Sequence, residues 1–388
     1  MSLYPFAKRI NWSLENNPLS LAIEKMRSDG TPILDLTESN PTRCGFQYPK
    51  NWLEELSSSE ALTYAPESKG TIKARRAVES YYQQRQYALS PEHLVLTSGT
   101  SEGYSFLLKL LTNPGDHVLI PKPSYPLFQF LIELHDVGFD YYPMVYEEGR
   151  WQIDREAFLD LVTSKTRAVI LVNPNNPTCS YISKDDLTFL NEQCASHQMA
   201  IISDEVFLDY QLKKDLPAVS LVENTKVLTF VLSGISKVLG LPQMKLSWIA
   251  ANGPKKTLQE ALERLEIIAD TYLSVNTPVQ NSLASWLPQA SQIQGQILQR
   301  VQANLETLRH YPLKVLSVEG GWYAIIDVPS LYSEEDFILD VLRTEQVLVH
   351  PGYFFDFDRE GYLILSLLPQ GEVFREAIER ISRKIQNL

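Results

Sequence analysis

HLVLTSGTSEGYSFLLKLL, residues 93–111, starts as an apolar, strand-like run, breaks at Ser98 and Gly99, and resumes with Tyr104, Leu107, Leu108 and Leu111 at helical spacing. A strand that turns through glycine into a helix is the building unit of a mostly parallel sheet with crossover helices. Working outward, the alternation recurs between about residues 90 and 250, where apolar, β-branched runs predict strands at 93–97, 117–121, 167–172, 199–203, 227–232 and 246–251. Just past the C-terminal ends of several runs stand Ser98, Tyr125, Asn176, Asp204 and Lys237. In open α/β sheets ligands bind at that edge, so five chemically useful side chains there form a constellation.

Beyond this centre the pattern changes. The chain is irregular before Thr63; after about residue 290 it shows a long helical stretch (292–308), the strand-like GGWYAIIDV (320–328) and an amphipathic helix from Glu372. Both ends are expected to build a smaller domain, from residues 1–45 and 286–388, beside a large domain at 46–285.

The 388 residues, 44% of them apolar, can bury a large core, and the formal charge of -12 leaves no basic footprint for nucleic acid. Cys44, Cys179 and Cys194 have neither metal-ligand spacing nor an even framework, which suits a reducing compartment without disulfides. The N-terminus lacks the charged and apolar regions of a signal peptide, and no stretch approaches the roughly 18 apolar residues of a membrane helix. A cytoplasmic protein that engages neither membrane nor nucleic acid is expected.

Each candidate residue has a functional and a plain structural explanation. At Gly99-Thr100-Ser101, hydroxyls and the N–H groups of a helix start could cradle a phosphate; alone, the motif fits an ordinary capped turn at least as well. Lys237 follows an apolar strand among small and apolar neighbours, where poor solvation would lower its pKa and make it nucleophilic toward an aldehyde; otherwise it is a lysine reaching solvent from a helix start. Asp204 ends a strand buried on both faces, so its carboxylate needs a cation such as a pyridinium nitrogen, unless it caps a helix. Asn176 could donate to a phenolic oxygen or shape an Asn-Pro turn, and Tyr125 could stack on a flat ring or merely pack.

Together SGTSEG, PSYP, NPNNPT, DEVF and SGISKVLGLPQMK, in that order and at these separations, resemble the class I/II aminotransferases of PLP-dependent fold type I, the aspartate aminotransferase family, over nearly the whole chain. The resemblance implies an α/β fold with a mostly parallel seven-stranded sheet in a large domain, a small α+β domain, and a homodimer acting on an amino donor and an oxo-acid acceptor. It also implies pyridoxal 5'-phosphate as cofactor, with Lys237 as Schiff-base lysine and proton-shuttling base, Asp204 at the pyridinium nitrogen, Asn176 at the ring hydroxyl and substrate, and Tyr125 over the ring. Gly99, Thr100, Ser101 and Lys245 would hold the phosphate, with Tyr64 arriving from the neighbouring subunit, and Ser233 would also bind the cofactor. Asn40, Arg43 and Trp322 would meet the substrate, and the segments 319–323 and 350–352 would close on it.

Four departures stand out. Eight residues after Lys237 the family's usual phosphate-binding arginine is Lys245, which keeps the charge but loses the bidentate fork. The usual tyrosine after the DE pair is Phe207, predicted to remove a donor to the ring hydroxyl and to raise the Schiff-base pKa. The glycine after NPT is Cys179. Most consequentially, Ile364 occupies the position of the substrate-carboxylate arginine, and losing that contact would cost roughly 2–5 kcal/mol of binding if nothing replaced it. Arg43, in ESNPTRCGF, is one possible replacement; a solvent-facing arginine is the alternative. Amino transfer is therefore the leading expectation, with a PLP-dependent lyase or decarboxylase on the same scaffold as the alternative. A nicotinamide dehydrogenase is disfavoured by the missing GxGxxG.

Overall fold

All six runs read as strands from the sequence are strands, each within two residues of the expected bounds. The computed structural model describes residues 4–216, 218–328 and 333–388. Its strands are β1 (Leu34–Asp35), β2 (Leu94–Thr97), β3 (His117–Lys122), β4 (Gly138–Glu147), β5 (Arg150–Ile153), β6 (Thr166–Val172), β7 (Ala200–Asp204), β8 (Thr229–Gly234), β9 (Ser247–Asn252), β10 (Tyr323–Asp327), β11 (Val347–Leu348), β12 (His350–Pro351) and β13 (Tyr362–Ser366).

The central sheet runs β2-β9-β8-β7-β6-β3-β4-β5, parallel from β8 through β4 and antiparallel at β9 and β5. The side-chain period of two sorts β6 between two core layers: Val169 and Leu171 pack on one face, and Ala168, Ile170 and Val172 on the other. β7 and β8 split the same way, through Ile201 and Val231 against Ile202, Phe230 and Leu232. Burying each such side chain stabilises the fold by about 1.5–3 kcal/mol, so Ile170→Ala would cost about 2–5 kcal/mol.

Seven strands were expected and eight are present. β4 is ten residues long and outruns β3, pairing its far end with β5 from Met144↔Ile153 to Glu147↔Arg150 around a turn at Glu148 and Gly149, both at positive φ. This hairpin adds the eighth strand.

Outside the central sheet, segments from the two ends of the chain pair with each other. β1 pairs in parallel with β11, and β10-β13-β12 form an antiparallel sheet. Helices Ala290–Arg309 and Gly371–Gln386 match the helices read at 292–308 and from Glu372. Among the described residues no helix is long and apolar enough to cross a membrane, and no His/Cys/Asp/Glu group could hold a metal ion. Cys44, Cys179 and Cys194 are buried and free.

Candidate active site

Two parallel strands deliver the reactive pair. β8 ends at Gly234 and turns into the short helix Ile235–Val238, which carries Lys237. The Tyr210 hydroxyl donates to the Lys237 carbonyl at 2.6 Å and fixes this turn. The Lys237 amine lies 4.9 Å from the Trp322 ring centre and 5.4 Å from that of Phe207. Burial pushes its pKa down to about 8, against the pull of the Asp204 charge.

β7 ends at Asp204, which is buried. The Tyr104 hydroxyl and the Val206 N–H each donate to its carboxylate at 3.2 Å. Burial pushes the carboxyl up to about 6, opposed by the Val206 and Tyr104 hydrogen bonds and the Lys237 charge. Among the described residues Asp204 has donors but no salt-bridge partner, the state of a carboxylate prepared for a cation.

Both groups face a cavity of about 270 Å³ at the C-terminal edge of the sheet, also lined by Thr100, Ser101, Tyr125, Asn176, Phe207 and Ser247. Asn176 is buried and its side-chain carbonyl has no hydrogen-bond partner among the described residues. Its loop is held by Asn175, whose amide donates to the Pro123 carbonyl and the Thr178 hydroxyl, each at 3.0 Å. Tyr125 flanks the cavity and packs edge-on against Phe128.

At one end of the cavity Gly99 precedes the helix Thr100–Leu111, and Glu102 accepts from the Ser98 N–H at 2.7 Å to shape the turn. A Cβ on Gly99 would stand 3.2 Å from the Lys245 amine, so the ammonium and this helix start share one small space. Lys245 sits at φ 51°, and this left-handed bend turns the chain from the segment Pro242–Met244 into β9.

The other expected residues divide. Ser233 is buried within β8 and does not line the cavity, whereas Ser236 does. Trp322 is buried beside Lys237, with its indole N–H unpartnered among the described residues. Asn40 caps a short turn, accepting from the Thr42 N–H at 3.1 Å. Arg43 is 75% exposed, 3.8 Å from Glu38, and lines no part of the cavity. Tyr64 is exposed, away from the cavity of its own chain.

The departures acquire physical content. Ile364 is fully buried in β13, between Ile325 of β10 and His350 of β12, and among the described residues no arginine lines the cavity. Phe207 lines it without an O–H and packs edge-on against Trp322. Cys179 adopts φ 57°, a conformation that costs a non-glycine residue about 1–2 kcal/mol. In return its thiol donates to the Tyr323 carbonyl at 3.3 Å, and its own carbonyl accepts from the Glu319 and Gly320 N–H groups at 3.0 Å. The cysteine thus ties the NPNNPT loop to the segment that leads into β10.

Sequence reasoning missed Tyr104, Tyr210, Ser39, Ser236 and Ser247. Tyr104 was legible as a buried position of its helix, but its hydroxyl partner lies a hundred residues away.

The residues fit pyridoxal phosphate. A buried carboxylate lacking a cation, an amine of lowered pKa, the polar Asn176 side chain on the cavity wall and an ammonium beside a helix start would answer in turn to the ring nitrogen, the aldehyde, the ring hydroxyl and the phosphate.

Comparison with known proteins agrees. The family model described as aminotransferase class I and II matches residues 31–381. The chain is 28% identical to the alanine aminotransferase of Mycobacterium tuberculosis, over 94% of this chain and 88% of that protein. It is 27% identical to the glutamate-pyruvate aminotransferase AlaA of Haemophilus influenzae, over 92% of each. Its fold superimposes on an alanine aminotransferase from Pyrococcus furiosus with a TM-score of 0.88 at 24% identity, covering 99% of this chain and 100% of that one.

Proposed function

The chain belongs to the class I and II aminotransferases, enzymes dependent on pyridoxal phosphate, and from that premise we propose that its donor is an α-amino acid whose carboxylate is met by neutral hydrogen-bond donors. The observation that carries this is the convergence of Lys237, Asp204 and Asn176 on one cavity that no arginine lines among the described residues.

When bound, the cofactor supplies a ring that draws off the electrons left as a bond at the substrate Cα breaks. Lys237 holds the cofactor's aldehyde carbon and moves the proton at Cα; its lowered pKa favours the neutral amine that both tasks need. Asp204 holds the positive charge at the ring nitrogen, and Asn176 donates to the ring hydroxyl. Tyr125 flanks the ring face, while Gly99, Thr100, Ser101 and Lys245 hold the phosphate. The Asn176 amide and the Ser39 hydroxyl, which line the cavity, and the Trp322 indole N–H beside Lys237 are the neutral donors offered to that carboxylate. Nothing in the relatives favours a lyase or decarboxylase.

Residues 46–285 form the large domain in this reading, with 1–45 and 286–388 forming the small one. The enzyme works as a homodimer in which Tyr64 reaches the partner's phosphate; Tyr64 at 69% exposure and Leu62 at 90% are large apolar side chains left open to such a contact. Three free cysteines suit the cytoplasm.

The test is the visible spectrum of the purified holoenzyme as L-alanine, L-glutamate and simple primary amines are added one at a time. The amino acids should convert the cofactor band, releasing one equivalent of oxo acid per site until an acceptor is added. Conversion by amines alone would replace the α-amino acid with a carboxylate-free donor.

A further inference from the structure

Ser247, the first residue of β9, is 1% exposed, yet its hydroxyl has no hydrogen-bond partner among the described residues. It also lines the cavity. A buried hydroxyl without a partner costs about 1–3 kcal/mol, so a fold that keeps one calls for an occupant to satisfy it.

Strand pairing shows which occupant. Ser247 lies between Thr97 of β2 and Gly234 of β8, the strands that run into the helix starts bearing Thr100 and Lys237. Two residues before it stands Lys245, whose amine approaches Gly99. Gly234 completes the arrangement: a Cβ there would stand 2.2 Å from the Ser247 Oγ, so the glycine leaves the room that this side chain fills. Gly234 is extended, at φ 178° and ψ 168°, so it is space that its lack of a side chain provides.

We propose that the Ser247 hydroxyl donates a hydrogen bond to the phosphate monoester of the bound cofactor, with Gly234 opposite it making the space. The inference rests on the cofactor reading above and adds a phosphate ligand on a strand from which none was expected.

The test titrates full-length, cofactor-free protein with pyridoxal phosphate and with pyridoxal, which lacks the phosphate, reading binding from the visible band. Ser247→Ala should weaken pyridoxal phosphate about tenfold or more, as for a hydrogen bond to a charged group, and leave pyridoxal within about twofold. The melting temperature of the cofactor-free variant should equal or exceed that of wild type, since the hydroxyl has no protein partner to lose. The pair Gly234→Ser with Ser247→Gly, which moves the hydroxyl to the facing strand, should recover most of the lost affinity once the backbone yields at a 2.9 Å contact with the Ser247 Cα. Equal weakening of both ligands, no weakening of pyridoxal phosphate, or a clear fall in the cofactor-free melting temperature would overturn the role of Ser247 alone. Wild-type protein that binds pyridoxal as tightly as pyridoxal phosphate would overturn the phosphate reading itself.

Discussion

At the edge of the eight-stranded sheet, Lys237, Asp204, Asn176 and Ser247 are polar groups kept at a cavity with partners missing or charge unbalanced. In the three-stranded sheet, Ile364 takes the place of the expected guanidinium and is fully buried beside Leu363 and Leu365. Unsatisfied polar groups are costly to bury and well-packed apolar ones are not, so the first region keeps its arrangement for a ligand while the second has become ordinary core. On the proposed reading, cofactor chemistry and grip on the substrate carboxylate are separable parts of the fold: the first keeps a lysine, an aspartate and an asparagine at the cavity despite Lys245 and Phe207, and the second lacks its arginine.

The comparison breaks most visibly at Lys237. Replacing it with alanine removes both the amine that holds the aldehyde and the base, and should lower kcat by at least about 10³-fold in a single-turnover assay. Activity within tenfold of wild type would place the chemistry elsewhere.

Ile364→Arg tests whether the second region lost only a side chain. Placed in an apolar sheet, the guanidinium should destabilise the protein by about 3–5 kcal/mol in denaturant unfolding, as expected of an unpaired buried charge. A stable variant with a lower KM for amino acids would show that the carboxylate pocket survived intact.

Burial also changes how Lys237 titrates. Its folded pKa is lowered from 10.5 to about 8, so its contribution to stability is present above the unfolded value and lost as pH falls through about 8. In cofactor-free protein, capture of a small aldehyde by Lys237, trapped by reduction, should rise with a midpoint near pH 8. A midpoint near 10.5 would mean a solvated ammonium. The smallest effect belongs to Arg43: Arg43→Ala should leave amino-acid KM within about twofold, as for an exposed side chain paired loosely with Glu38. A tenfold rise would return a guanidinium to the site.

What could be read from the sequence follows the same divide. Lys237, Asp204 and Asn176 were legible because each stands at or just past the end of an apolar, β-branched strand, where local pattern places it. The β4–β5 hairpin was not, because GFDYYPMVYE is only half buried and carries a proline, so it lacks the continuous apolar run of its neighbours. A cofactor-binding serine near Lys237 was expected at Ser233, which packs within β8, while Ser236 and Ser247 line the cavity. Only the pairing of β8 with β9 brings Ser247 opposite Gly234, and no local pattern reports that register. Cys179 was legible as a departure, but its tie to Tyr323 depends on a contact 144 residues distant.

The central claim is that Lys237 is the amine that holds the cofactor. Reducing the holoenzyme with borohydride and mapping the modified peptide by mass spectrometry tests it most directly. Modification at Lys237 alone, at one equivalent per chain, is the expected result; modification centred on Lys245 or another lysine, or none at all, would contradict the account.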